Sequence, residues 1–211
     1  MFDSRPLAER MRPVRLADYI SQSHLVGEKG ALRMQIEKGI TPSLIFWGPP
    51  GTGKTTLAYI IAKESQRAFF SLSAISSGIK EVRDIIEKSK REQGLFTARN
   101  PIIFIDEINE LVPCRDGATH EMSKSAVNEM LAQMDKTGEK GIFIIGATNY
   151  PNAIDPAILR SGRLEKKYYI GVPDIEARVA LFKHCLEKRP FDFGLDYEEL
   201  ARLTENYVSA D

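Results

Sequence analysis

Apolar residues along the chain fall into two alternating signatures. Short runs rich in Ile, Phe, Leu or Tyr occur at 43–47, 68–72, 101–105, 142–147 and 167–171. They have strand length and are apolar nearly throughout, as strands covered on both faces are. Between them, at 54–64, 79–91 and 120–134, apolar residues recur three and four apart, the period of an amphipathic helix. In 120–134, Met122, Ala126, Val127, Met130, Leu131 and Met134 form one stripe, which reads as core. After residue 172 the pattern changes. Residues 174–188 and 196–204 read as helices with no strand following, and Asp174 can cap the first. The alternation predicts an α/β domain over 1–172, with a five-stranded parallel sheet flanked by helices, then a small helical piece over 173–211.

Composition narrows the function classes. The chain is 43% hydrophobic and 27% charged, an ordinary globular balance. Lys+Arg and Asp+Glu are both 29, so no net field favours nucleic acid or an anionic membrane. No apolar run approaches the ~20 residues that cross a bilayer, and the charged first twenty residues hold no apolar signal core. Cys114 and Cys185 lack metal-ligand spacing and read as reduced thiols, which predicts a cytoplasmic protein. His24, His120 and His184 are scattered and give a metal site no support.

Chemistry enters at Gly48-Pro-Pro-Gly-Thr-Gly-Lys54-Thr55, which satisfies the pattern of a phosphate-binding P-loop. An apolar strand precedes it and an amphipathic helix follows, the context that such a loop requires. The loop Pro50, Gly51, Thr52, Gly53, Lys54, Thr55 and Thr56 can wrap phosphate oxygens at a helix N-terminus, with every backbone N–H except at Pro50, which has none, available to donate. Lys54 can reach the β- and γ-phosphates of ATP, and the Thr55 hydroxyl can hold Mg²⁺. A second acidic element, Asp106-Glu107, ends the strand at 101–105. A carboxylate there faces the ligand crevice of a parallel sheet. Asp106 is placed for Mg²⁺, and Glu107 for activating the attacking water. Thr148-Asn149 ends the next strand. Local sequence leaves Asn149 equally open as an Asn-x-Pro turn or as a ligand of the water or γ-phosphate. Arg160 and Arg163, in Asp-Pro-Ala-Ile-Leu-Arg-Ser-Gly-Arg, read locally as a solvated rim or as partners of Asp155 and Glu165.

In this order and at these separations, GPPGTGKTT, IIFIDEI, GATN and DPAILRSGR resemble an AAA+ ATPase. The stretch 101–211 is similar to the AAA family proper, the group of spastin, katanin, FtsH and the N-ethylmaleimide-sensitive factor. The resemblance implies a Mg²⁺-dependent ATPase that works in a homo-oligomeric ring, a hexamer, and remodels macromolecules. It makes Glu107, Asn149, Arg160 and Arg163 the catalytic set, both arginines being fingers aimed at the ATP of a neighbouring subunit. A lone monomer is then expected to hydrolyse slowly. In residues 6–96, the phrases PLAERMRPVRLADYISQSHLVGEKGALRMQIEKG and SLSAISSGIKEVRDIIEKSK instead resemble the replication-associated recombination group, related to the Werner-interacting ATPases. In that group the segment matching 18–27 closes over adenine, which implies adenine contacts from Tyr19, Ile20 and Leu25 and makes 6–27 an adenine-side segment.

The two halves imply different targets, protein complexes or DNA intermediates. The chain reads either as a natural divergent member or as a chimera joined between Phe96 and Pro101. The region before the second helix, AISSGIKE, lacks the aromatic of peptide-threading relatives. Ser73 stands where many relatives place an Asn that contacts the catalytic Glu. The closing ENYVSAD reads as the approach to another lid helix, capped by Ser209 or Asp211. The lid is therefore expected to be truncated, with Val179, Leu181, Phe182 and Leu186 partly exposed. The alternative reading is a nucleotide-binding switch or assembly module with negligible turnover.

Overall fold

The computed structural model describes residues 10–39, 43–76, 78–92, 100–114, 121–139, 142–187 and 194–210. Five strands, β1 (Leu44–Trp47), β2 (Phe69–Ser73), β3 (Ile102–Asp106), β4 (Phe143–Thr148) and β5 (Lys166–Tyr169), form one sheet in the order β2-β3-β4-β1-β5. Every pairing is parallel. The helices are α1 (Ser23–Val26), α2 (Ala31–Glu37), α3 (Lys54–Glu64), α4 (Ile79–Glu92), α5 (Ile108–Leu111), α6 (Glu121–Glu139), α7 (Ile175–Leu186) and α8 (Tyr197–Leu203).

Two cores cover the two faces of the central strands β1, β3 and β4, whose successive side chains alternate between them. The edge strand β5, expected from its sequence to be covered, is mostly exposed because it lies at the rim of the sheet. From β3, Ile103 and Ile105 enter a core with Val82 and Ile86 of α4 and Val127, Met130 and Met134 of α6. Ile102 and Phe104 enter the opposite core, with Leu57, Ile60 and Ile61 of α3 and Leu32 and Ile36 of α2. The stripe expected in 120–134 is thus core at Val127, Met130 and Met134; the side chains of Met122 and Ala126 lie outside the described residues. An Arg83–Glu129 ion pair ties α4 to α6.

Predicted and observed elements agree within a residue or two, except at α6. That helix runs on to Glu139 through Asp-Lys-Thr-Gly-Glu, a polar extension with no stripe to reveal it. The short α1, α2 and α5 have no sequence counterpart, since a helix of one or two turns is too brief to show a period. Asp174 caps α7 as expected, its Oδ1 accepting from Ala177 N at 2.8 Å. The stretch from Phe96 to Arg99, where a join was considered, lies outside the described residues. So do residues 6–9 of the N-terminal segment, His120 and Asp211. No described helix is long and apolar enough to cross a membrane.

Phe104 is fully buried and stacks on Phe69 at 6.0 Å between ring centroids. Truncation of a large aromatic in a packed core leaves a cavity, so Phe104→Ala should lower stability by about 3–5 kcal/mol. The check is the midpoint of urea unfolding.

Candidate active site

The parallel order brings three strand ends side by side. β1 runs into the glycine loop, β4 ends at Thr148, and β3 ends at Asp106. A cleft of about 530 Å³ opens there. Residues Pro50 to Thr56, Asp106, Glu107 and Asn149 line it. Further along lie Tyr19 and Ile20 of the N-terminal segment, Leu181, His184 and Cys185 of α7, and Ser209 and Ala210.

Lys54 is the first residue of α3 and is only 8% exposed. Its ammonium donates to the carbonyls of Gly48 at 2.8 Å and Pro49 at 2.7 Å. The third donation goes to Asn149 Oδ1 at 2.8 Å. Asn149 Nδ2 in turn donates to Glu107 Oε1 at 2.9 Å. One side-chain relay therefore joins the glycine loop to the carboxylate beyond β3. Burial pushes the Lys54 pKa down, against the opposing pull of Asp106 and Glu107. Burial, and next the Asp106 charge, pushes the Glu107 pKa up, while Lys54 draws it back down.

Glu107 sits at φ 52, a left-handed conformation that a side chain resists. Such strain costs on the order of 1–3 kcal/mol and gathers where a side chain must be aimed. Here it swings the carboxylate from the β3 direction towards Asn149. Asn149 is itself held from behind. Thr148 Oγ1 donates to Asn109 Oδ1 at 2.7 Å and accepts from Tyr150 N at 2.9 Å.

The loop glycines are required by close approach. Gly53 has φ 93, and a side-chain carbon there would meet the Tyr19 hydroxyl at 2.9 Å. Gly51 has φ 73, and its added carbon would meet Val208 at 2.5 Å. Both ends of the described chain thus pack onto the loop.

The structure gathers most of the expected site residues. Pro50, Gly51, Thr52, Gly53, Lys54, Thr55, Thr56, Asp106, Glu107, Asn149, Tyr19 and Ile20 share one cleft. Leu25 does not join them. It is 7% exposed and packs with Val26, Leu32 and Ile36 under the sheet, because α1 turns its apolar side inward. Arg160 and Arg163 do not line the cleft of their own chain either. Arg160 is exposed and has no ion-pair partner among the described residues. Arg163 is turned back: its Nε and Nη2 form a fork on Asp135 of α6 at 2.8 and 2.9 Å. Its Nη1 donates to Ala157 O at 2.8 Å. Its carboxylate partner is therefore Asp135, not the neighbouring acids considered from sequence. Ser161 donates to Glu165 at 2.9 Å.

Residues 44–172, well over half the chain, match the family described as ATPase family associated with various cellular activities (AAA). The chain belongs to the AAA family. Membership accords with the five-stranded parallel sheet. Sequence reasoning missed several residues that line or brace this cleft. Asn109 is buried behind Thr148, and its only signal is an amide two residues past Glu107. Leu181, His184 and Cys185 belong to a helix read only as lid, and the i, i+3, i+4 spacing of Leu181, His184 and Cys185 was the available sign of a shared face.

The raised Glu107 pKa has a measurable sign. The folded chain holds its Glu107 proton more tightly than the unfolded chain. Stability from this group is full below the unfolded value and declines as pH rises through the interval up to the raised folded value. A ¹³C NMR titration of the Glu107 carboxyl should give a midpoint above 4.5. Lys54→Met, which removes the attracting cation, should move that midpoint higher still.

Proposed function

We propose that this cleft binds ATP with Mg²⁺ and hydrolyses its γ-phosphate, as part of an oligomer that remodels a macromolecule. The observation that carries the reading is the Lys54–Asn149–Glu107 relay inside a glycine-lined cleft. Lys54 would turn its protons from the loop carbonyls to the β- and γ-phosphates. Thr55 and Asp106 offer hard oxygen donors in the same cleft and fit Mg²⁺, which takes few protein oxygens and completes its shell with phosphate and water. When bound, Mg²⁺ would neutralise charge on the phosphates.

Glu107 would accept the proton of the attacking water, and its raised pKa suits a general base. Asn149, within reach of both Lys54 and Glu107, would orient that water or the γ-phosphate. Residues 1–172 would act as the nucleotide-binding unit and 173–211 as a helical lid, since α7 and Ser209–Ala210 reach the cleft rim. Tyr19 and Ile20 would meet the adenine. Arg160, exposed and away from its own cleft, would serve the ATP of a neighbouring subunit in a ring. Arg163, held by Asp135, would shape the loop that presents Arg160. The target, a protein complex or a DNA intermediate, is the substrate of that ring.

Glu107→Gln should cut ATP turnover by about a hundred- to ten-thousandfold while leaving ATP affinity near wild type, read by steady-state phosphate release and calorimetric titration. Unchanged turnover would instead mark a nucleotide-binding module. Arg160→Ala alone should lower turnover on the order of a thousandfold. Mixing it with Glu107→Gln chains should recover part of the rate, because each supplies what the other lacks. No recovery on mixing would reject action across subunits.

A further inference from the structure

Two consecutive residues other than glycine stand at positive φ just before α1: Ser21 at 97 and Gln22 at 57. Side chains resist this region, and such outliers persist only where the surroundings hold them. Gln22 is 6% exposed, and its carboxamide reaches Gly171, 149 residues away. Gln22 Nε2 donates to Gly171 O at 2.7 Å, and Gly171 N donates back to Oε1 at 3.3 Å. Nε2 also donates to Ser21 Oγ at 3.0 Å. A buried amide satisfied on both its edges is a rigid clamp.

The clamp joins two walls of the cleft. Immediately before the strained turn stand Tyr19 and Ile20, which line it. The Tyr19 hydroxyl donates to Thr52 O at 3.4 Å, and burial pushes the phenol pKa up. Shortly after Gly171 begins α7, whose Leu181, His184 and Cys185 also line the cleft. Tyr19 touches the loop backbone at Thr52, but the charged groups of the phosphate end have hydrogen bonds of their own. Lys54 is held by Gly48, Pro49 and Asn149, and Glu107 by Asn149, with no bond to Gln22.

We propose that Gln22 is a positioning residue for the nucleotide's adenine, acting through Tyr19 and Ile20. The inference rests on the nucleotide reading above. The amide holds the turn, the turn holds the aromatic and aliphatic contacts, and α7 is tied to the same point. Gln22 therefore governs how firmly the adenine end is gripped and leaves the phosphate chemistry alone.

The test compares Mg·ATP with Mg·tripolyphosphate, which has the phosphate chain and no adenine. Gln22→Ala removes the clamp; Gln22→Met keeps the volume and removes only the hydrogen bonds. Both should weaken ATP about tenfold, the loss expected for a buried hydrogen-bonded amide. Tripolyphosphate affinity, read by competition, should stay at the wild-type value, and kcat at saturating ATP should stay within about twofold, so KM alone rises. If neither variant folds, amide exchange on the wild-type chain decides. ATP should slow exchange at Gly171 and tripolyphosphate should not; equal slowing overturns the proposal. Unchanged ATP affinity in the variants, or equal loss for both ligands, also overturns it. A wild-type chain that bound neither ligand would overturn the nucleotide reading itself, a result distinct from variants that behave like wild type.

Discussion

The Lys54 ammonium is a buried charge, and a buried charge persists only with its hydrogen bonds made. All three of its protons find acceptors, two of them loop carbonyls and the third the Asn149 amide. The rest of the cleft is arranged around that requirement. The loop must bend back so that Gly48 and Pro49 turn their oxygens inward. Asn149 must sit at the end of β4, and Glu107 must leave β3 in a strained conformation to meet it. Asp106 and Glu107 together work against the burial that lowers the lysine's pKa.

The sheet order makes this possible at short range. β1 lies between β4 and β5, and β4 lies between β1 and β3. The loop lysine, the Asn and the Glu therefore stand on adjacent strand ends although they are far apart in the chain. A parallel sheet aims every one of its carboxyl ends at the same crevice. Polar residues at three of those ends, with apolar strands behind them, give one polar mouth over two dry cores. Asn109 extends the mouth one layer inward through Thr148 and fixes the strand end that carries Asn149.

How much of this was legible depended on range. The period of α3 and the glycine pattern before it are local, and the helix was read at Lys54–Glu64 as it stands. The positions of Asp106, Glu107 and Asn149 at the cleft were approachable because each follows an apolar run, and a run's end is visible in one dimension. Pairings across long separations were not. Arg163 and Asp135 lie 28 residues apart, on a loop and a helix whose packing no periodicity encodes. Leu25 illustrates the opposite limit. Its character is the same whether it lines a ligand slot or a core, and only the rotation of α1 decides.

The outermost strand carries one more implication. Among the described residues β5 pairs only with β1, and it presents Lys166 and Lys167 to solvent. An unpaired strand margin is a template for the backbone of any other chain, and adjacent ammonium groups make it an unwelcoming one. Strand addition there would bring these charges against a second copy's identical pair. This edge of the sheet thus carries charge that opposes fusion with its own kind.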